Sequence, residues 1–193
     1  MRPFLNGSAV MRILGSLIAL SMLSGCAMMR GGAPLETVES VDLERYMGQW
    51  YVIANIPYFG ERGNVGGYAI YRLREDGRID DIYRYRKGDF DAPEQELEGI
   101  AWVVDEESSA RWKVQFYWPI RFDYFIIGLD EDYQWSVVGH PSRRYAWIMS
   151  RTADMPEARY QALLELLEAD GFDSSELMKV PQRPDQVGEA GFQ

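Results

Sequence analysis

Between Trp50 and Arg151 the chain runs in short apolar and aromatic stretches, cut at near-regular intervals by turn-forming residues. The stretches are Trp50–Phe59, Tyr68–Leu73, Arg78–Tyr85, Gln95–Val104, Arg111–Trp118, Phe122–Asp130, Trp135–His140 and Tyr145–Arg151. Glu75-Asp76-Gly77, Lys87-Gly88-Asp89, Asp105–Ser109, Trp118-Pro119, Asp130-Glu131-Asp132 and Pro141-Ser142 separate them. Enrichment in aromatic and β-branched residues between such turn signals predicts eight strands in an antiparallel meander. Eight strands in sequence can close into an up-and-down barrel, which leaves no exposed edge. A two-sheet sandwich would use the same strands.

One helix is predicted after them. Asp154-Met155-Pro156-Glu157 reads as a capping box with Asp154 at the N-cap. Tyr160, Leu163, Leu164 and Leu167 then recur at helical spacing as one apolar stripe, and Gly171 suits the position just past the C-terminus. The expected fold class is therefore all-β: an eight-stranded antiparallel up-and-down barrel, with one C-terminal amphipathic α-helix packed outside. Phe172 and Leu177 would extend the helix contact, Val180 would add a short edge strand, and Pro181–Gln193 reads as a loose tail, with residues 183–193 flexible.

Strand alternation sorts side chains into an inner and an outer set. Arg72, Arg84 and Arg86 mark the outer faces of the second and third strands, which turns Ala69, Tyr71 and Leu73 inward, and with them Ile79, Asp81, Tyr83 and Tyr85. The fourth and fifth strands contribute Leu97, Gly99, Ala101 and Val103, then Trp112, Val114, Phe116 and Trp118. The sixth splits less cleanly, with Phe122, Tyr124, Ile126 and Gly128 against Asp123, Phe125 and Ile127; the seventh and eighth contribute Ser136, Val138 and His140, then Tyr145, Trp147 and Met149. The candidate ligand cavity drawn from these is Ala69, Tyr71, Tyr83, Leu97, Gly99, Ala101, Val114, Phe116, Tyr124, Ile126, Val138, Trp147 and Met149, with the small residues leaving room. The same alternation also builds a packed core, and parity alone does not separate the two. Tyr68, Ile70, Ile82, Ile100 and Trp102 point outward; most are expected under the helix, and any remainder would form a homodimer face or a surface touching the membrane.

Upstream of the strands, Arg12 precedes an apolar run of 11 residues, Ile13–Leu23. This is the layout of a secretory signal and is too short to span a bilayer. Met11-Arg12 would itself make a start, with Met1–Val10 an upstream extension. The run ends in Leu23-Ser24-Gly25-Cys26, which resembles the bacterial lipobox and implies cleavage before Cys26 and lipidation of that residue. Acyl chains contribute about 0.8 kcal/mol per buried methylene, so more than one makes a stable anchor. Residues 1–25 are then a signal peptide, 26–40 a lipidated cysteine and tether, and 41–182 the folded domain.

Charge and chemistry narrow the function. Loss of residues 1–25 would leave 18 basic against 30 acidic residues. Such a surface repels phosphate and argues against nucleic acid as a partner. Cys26 is the only cysteine, so no internal disulfide and no cysteine-based metal site can form. His140, the only histidine, stands beside Pro141 at a strand end and reads as an ordinary loop residue rather than a haem ligand. No nucleophile elbow, phosphate loop or dinucleotide fingerprint occurs. Asp80-Asp81, Glu106-Glu107 and Asp130–Asp132 fall in or near turns and read as solvated carboxylates. Neither an enzyme, a metal nor a cofactor is expected.

Three motifs occur in order. Gly48-Gln49-Trp50-Tyr51 opens the first strand, Gly128-Leu129-Asp130 lies between the sixth and seventh, and Tyr145–Arg151 forms the eighth. Together they resemble the three conserved regions of the lipocalins, over about Val41–Gln182. The second departs from the usual Thr-Asp-Tyr, with Leu129 in place of Thr and Tyr133 three residues after Asp130. With the lipobox, the chain resembles the bacterial outer-membrane lipocalins of the apolipoprotein-D-like branch. Gly48 would allow a tight entry turn, Trp50 would plug the closed end, and Arg151 would lie over its ring. The resemblance implies a lipid-anchored, periplasm-facing carrier of a fatty acid or lysophospholipid at the outer membrane. The alternative is a structural lipoprotein with a filled barrel that engages a protein partner.

Overall fold

The computed structural model describes residues 33–193. The apolar run, the lipobox and Cys26 lie outside the described residues. A single helical turn, α1 (Leu43–Tyr46), is capped by Asp42, whose carboxylate accepts the Arg45 N–H at 3.1 Å. The strands follow as β1 (Gly48–Ile56), β2 (Asn64–Leu73), β3 (Ile79–Lys87), β4 (Gln95–Val103), β5 (Arg111–Gln115), β6 (Phe122–Leu129), β7 (Trp135–Gly139) and β8 (Ala146–Ser150). Helix α2 (Glu157–Ala169) comes next, then a two-residue strand, β9 (Met178–Lys179).

Every consecutive pair from β1 to β8 is antiparallel, and β1 pairs with both β2 and β8. The sheet therefore closes on itself, which decides for the barrel over the sandwich. The closing seam is shared. β2 pairs with β1 only over Gly48–Tyr51; higher up, β9 pairs with Ala54 and Asn55. Beyond it the Gly66 N–H donates to Pro181 O at 2.7 Å, and the Gln182 amide donates to Val52 O and Gly67 O at 2.8 and 3.0 Å. The segment read as a loose tail is thus built into the wall, and Gln193 returns to accept the Gly63 N–H at 3.1 Å. The edge strand expected at Val180 falls one residue earlier, at Met178–Lys179.

Part of the expected tether also belongs to the folded unit: Leu35 is buried, and Val38 N donates to Ile126 O at 3.0 Å. Helix α2 begins at Glu157 with Pro156 in the cap position and no side-chain cap bond. Asp154 instead pairs with Arg183, so the expected capping box does not form. Tyr160, Leu163 and Leu167 are buried, and Gly171 takes the left-handed conformation (φ +85°) that ends the helix.

The helix stripe buries Ile53, Ala54, Ile56, Ile127, Val137, Ala146 and Ile148, on the outer faces of β1, β6, β7 and β8. None of the five outward residues expected beneath it is there. Cross-strand registers place Ile70 beside Ile82, and Ile82 beside Glu98, while the Arg84–Glu96 pair (2.6 Å) and the Arg74–Asp80 pair (3.3 Å) flank them. The stems of these charged residues cover that face. Two bulges account for the choice of helix footprint. Register shifts at Val52/Ala54 and at Ile126/Gly128 change the parity of β1 and β6, so Gly128, expected inside, faces Leu166 of the helix.

The end of the barrel carrying α1 is shut. Trp50 is fully buried, and its indole N–H donates to Tyr46 O at 2.8 Å. The Arg151 guanidinium lies 3.7 Å from the Trp50 ring centroid and donates to the carbonyls of Gln49, Arg45 and Tyr46 at 2.8, 2.8 and 3.2 Å. Gly48, at φ +96°, lets the chain turn beneath it. Asp130 Oδ2 accepts the N–H groups of Asp132 and Gln134 at 3.2 Å and so holds the β6–β7 turn. That turn presents Tyr133, whose hydroxyl accepts the Asp42 N–H at 2.8 Å. Replacement of Arg151 by Met keeps the aliphatic stem and removes these bonds and the ring contact. Urea denaturation is expected to show a loss of about 2–4 kcal/mol, with little change in m-value.

Candidate ligand site

The interior divides into a filled half and a hollow half. Around Trp50, the rings of Tyr46, Tyr71, Trp112 and Tyr124 pack at centroid separations of 5.0–6.0 Å. Their polar atoms are satisfied within the cluster: Tyr124 Oη lies 3.0 Å from both Tyr46 Oη and Tyr71 Oη, and Tyr46 Oη lies 3.0 Å from Ser136 Oγ. Ala101, Val114, Ile126 and Val138 pack in this same filled cluster. They line no cavity, because the aromatic plug occupies the space that parity alone left open.

Above the plug lies an interior cavity of about 70 Å³, lined by Val52, Glu61, Ala69, Tyr71, Asp81, Tyr83, Tyr124, Trp147 and Met149. A second pocket of about 120 Å³ forms the mouth, lined by Tyr58, Phe116, Tyr117, Ile120, Phe122, Asp123, His140, Tyr145 and Trp147. Trp147 stands between the two and contributes to both. The rim is strongly apolar, with Phe59 93% and Trp118 85% exposed. Trp118, expected inside, falls beyond the end of β5 and so escapes the strand alternation.

Of the candidates read from parity, Ala69, Tyr71, Tyr83, Tyr124, Trp147 and Met149 meet around the interior cavity, and Phe116 reaches the mouth. Leu97 packs beside Tyr83 without lining either space. Gly99 gives no room, because the Phe116 ring lies directly on it and a Cβ there would come within 2.6 Å of that ring. His140 lines the mouth; its Nδ1 accepts the Ser142 N–H at 3.1 Å, and burial holds its pKa below the ordinary value. Arg121 stacks on Trp102, 5.1 Å from the ring centroid.

Two acidic residues in the interior were not among the candidates. Glu61, on the β1–β2 loop, is only 5% exposed; its carboxylate accepts from Trp147 Nε1 at 2.9 Å and from Asn55 Nδ2 at 3.0 Å. Asp81, read as a solvated turn acid, is 4% exposed and has no hydrogen-bond or ion-pair partner among the described residues. Its position on β3, between inward Ile79 and Tyr83, was the available signal. Burial pushes both carboxyls up to about 7, opposed at Glu61 by its hydrogen bonds.

A closed barrel plugged at one end and open through an apolar mouth at the other is a receptacle for a small molecule. The lipocalin-like domain family matches residues 41–182, and the chain belongs to it. It is 39% identical over 160 residues to temperature-induced lipocalin-1 of Arabidopsis thaliana, covering 77% of this chain and 83% of that protein. It is 31% identical over 173 residues to the outer membrane lipoprotein Blc of Citrobacter freundii, covering 90% and 97%. Among solved structures, the cockroach allergen Per a 4 superposes with a TM-score of 0.59 at 22% identity, over 77% of this chain and 93% of that one.

The buried acids make stability depend on pH in an unusual direction. Asp81 and Glu61 hold protons more tightly when folded (about 7) than at their ordinary values of 3.8 and 4.5. The pH-dependent part of their burial cost is therefore absent at low pH, grows as pH rises through that window, and is largest above about 7. Asp81→Asn removes the charge and keeps the shape. Its Tm is expected to match the wild type near pH 4 and to exceed it increasingly up to about pH 7, as scanning calorimetry across that range would show.

Proposed function

We propose that this chain is a cell-envelope lipocalin that binds and carries or stores a single-chain amphiphile, and that it is not an enzyme. The observation that carries this reading is the alignment of an exposed apolar rim, an apolar mouth pocket and, behind the Trp147 side chain, an interior cavity. The lipobox at Cys26 and the likeness to an outer membrane lipoprotein support a lipid-anchored position at the bacterial outer membrane. No helix among the described residues is long and apolar enough to cross a membrane, so the anchor would fall to the lipid on Cys26. Fatty acids and lysophospholipids are the ligand classes that the family resemblance brings forward.

Both cavities are smaller than the roughly 300–1,000 Å³ of typical ligand pockets, so a long chain has to displace Trp147 and the rim residues. The filled plug and small cavities favour, as a second reading, an interaction lipoprotein with a packed barrel. A displacement titration separates the two. Residues 34–193 hold every strand, helix and buried cluster of the described residues, and so form the unit to test. Titrated with a fluorescent polyene fatty acid, that unit is expected to saturate with one site and to release the probe to palmitate or a lysophospholipid. A folded domain with no saturable binding would overturn the carrier reading and leave the packed-barrel one.

A further inference from the structure

The interior cavity has a chemistry that neither a fatty-acid carboxylate nor a phosphate head group satisfies. We propose that it is a cation cage: it takes a primary ammonium group, and the preferred ligand is a long-chain amine that enters the barrel ammonium-first. This deepens the proposed function and rests on it.

The first support is the state of Asp81. An acidic side chain 96% buried, lining a cavity and lacking any partner, is a large cost in a folded protein unless something fills the space beside it. Glu61, across the same cavity, has neutral donors only, from Asn55 and Trp147. No lysine, arginine or histidine among the described residues lines the space. Two acids without a counter-charge attract a cation and repel an anion. A carboxylate or phosphate brought into this cavity would add a third negative group.

The second support is the wall. Tyr71, Tyr83, Tyr124 and Trp147 surround the acids, and aromatic rings attract an ammonium through their quadrupoles. A primary ammonium has three donors and no acceptor, which suits the unpartnered Asp81 carboxylate, the Glu61 carboxylate and a tyrosine hydroxyl. The cavity, at about 70 Å³, is far smaller than the roughly 300–1,000 Å³ of typical ligand pockets, so the head must be compact. The third support is polarity along the route: the mouth beyond Trp147 presents Phe116, Ile120, Phe122 and Tyr145 to the tail. A tail-first amphiphile would instead press its terminal methyl against Asp81.

The titratable groups that face Asp81 and Glu61 are each other, the phenols of Tyr46, Tyr71, Tyr83 and Tyr124, and Tyr58 on the β1–β2 loop. Burial raises the phenols, so among these groups only the two carboxyls change charge near neutral pH; His140, on the route, lines the mouth rather than the cavity. An ammonium ligand should accordingly bind more tightly at pH 8 than at pH 5.5.

The test compares dodecylamine, dodecanol and dodecanoate, which share a chain and differ in head charge, each below its micelle concentration. Displacement of the fluorescent polyene fatty acid from residues 34–193 is read at pH 8 and pH 5.5. Dodecylamine is expected to bind at least about tenfold more tightly than the other two at pH 8. Asp81→Asn is expected to bring it down to the level of dodecanol, and Glu61→Gln to weaken it. The proposal is overturned if dodecanol or dodecanoate competes as well as the amine, or if the preference survives Asp81→Asn. In those cases ligand binding itself still stands. If none of the three binds and the probe does not saturate, the carrier reading falls with it.

Discussion

The stacking of the Arg151 guanidinium on Trp50 is the contact through which the closed end of the barrel is organised. It joins the end of β8 to the start of β1, to α1 and to the β6–β7 turn in one place, with four backbone carbonyls, those of Arg45, Tyr46, Gln49 and Tyr133, accepting from one guanidinium. A planar, permanently charged group with several donors suits this position, because it can stack and still satisfy carbonyls that a turn leaves open. With Trp50 fixed, Tyr46, Tyr71, Trp112 and Tyr124 have a surface to pack against and their hydroxyls close on one another. The floor of the interior cavity is the upper side of that cluster.

The hollow half has a different economy. Its ionisable acids are two carboxyls, and of these only Glu61 is hydrogen-bonded among the described residues. The side chain that bonds Glu61 is Trp147, which also separates the cavity from the mouth. The position of the partition is therefore tied to a group whose charge changes near neutral pH. The site is held less by packing than the plug is, and more by a few hydrogen bonds.

Most of the architecture could be read in the sequence because it rests on alternation. Strands, the inward faces of β2, β3, β5 and β8, and the stripe of α2 all follow from residue type at fixed spacing. What alternation does not carry is where it is broken. The bulges at Val52/Ala54 and Ile126/Gly128 each shift parity, and they decide both the helix footprint and the inward face of β6. The room expected at Gly99 disappears because Phe116 folds onto it, a choice of rotamer and not of pattern. Asp81 stood on an inward face, but its neighbour Asp80 and a nearby turn made it look solvated. Glu61 lies on a loop, where no periodicity applies, and only the closed barrel brings it inside.

The shared seam also sets an order of events. In β1, the residues Tyr51–Ile56 bond β8 on one side, and Ala54 and Asn55 bond β9 on the other. Both partners lie about a hundred residues or more further along the chain. The upper part of the first strand thus waits for these two partners through most of synthesis, while its lower part can pair with β2 early, and the barrel wall is completed last. Contacts of such long sequence separation make folding slow relative to helical proteins of the same size. A chain of this design stays open until nearly all of it has emerged, because the seam that closes the sheet is supplied by the last residues to appear.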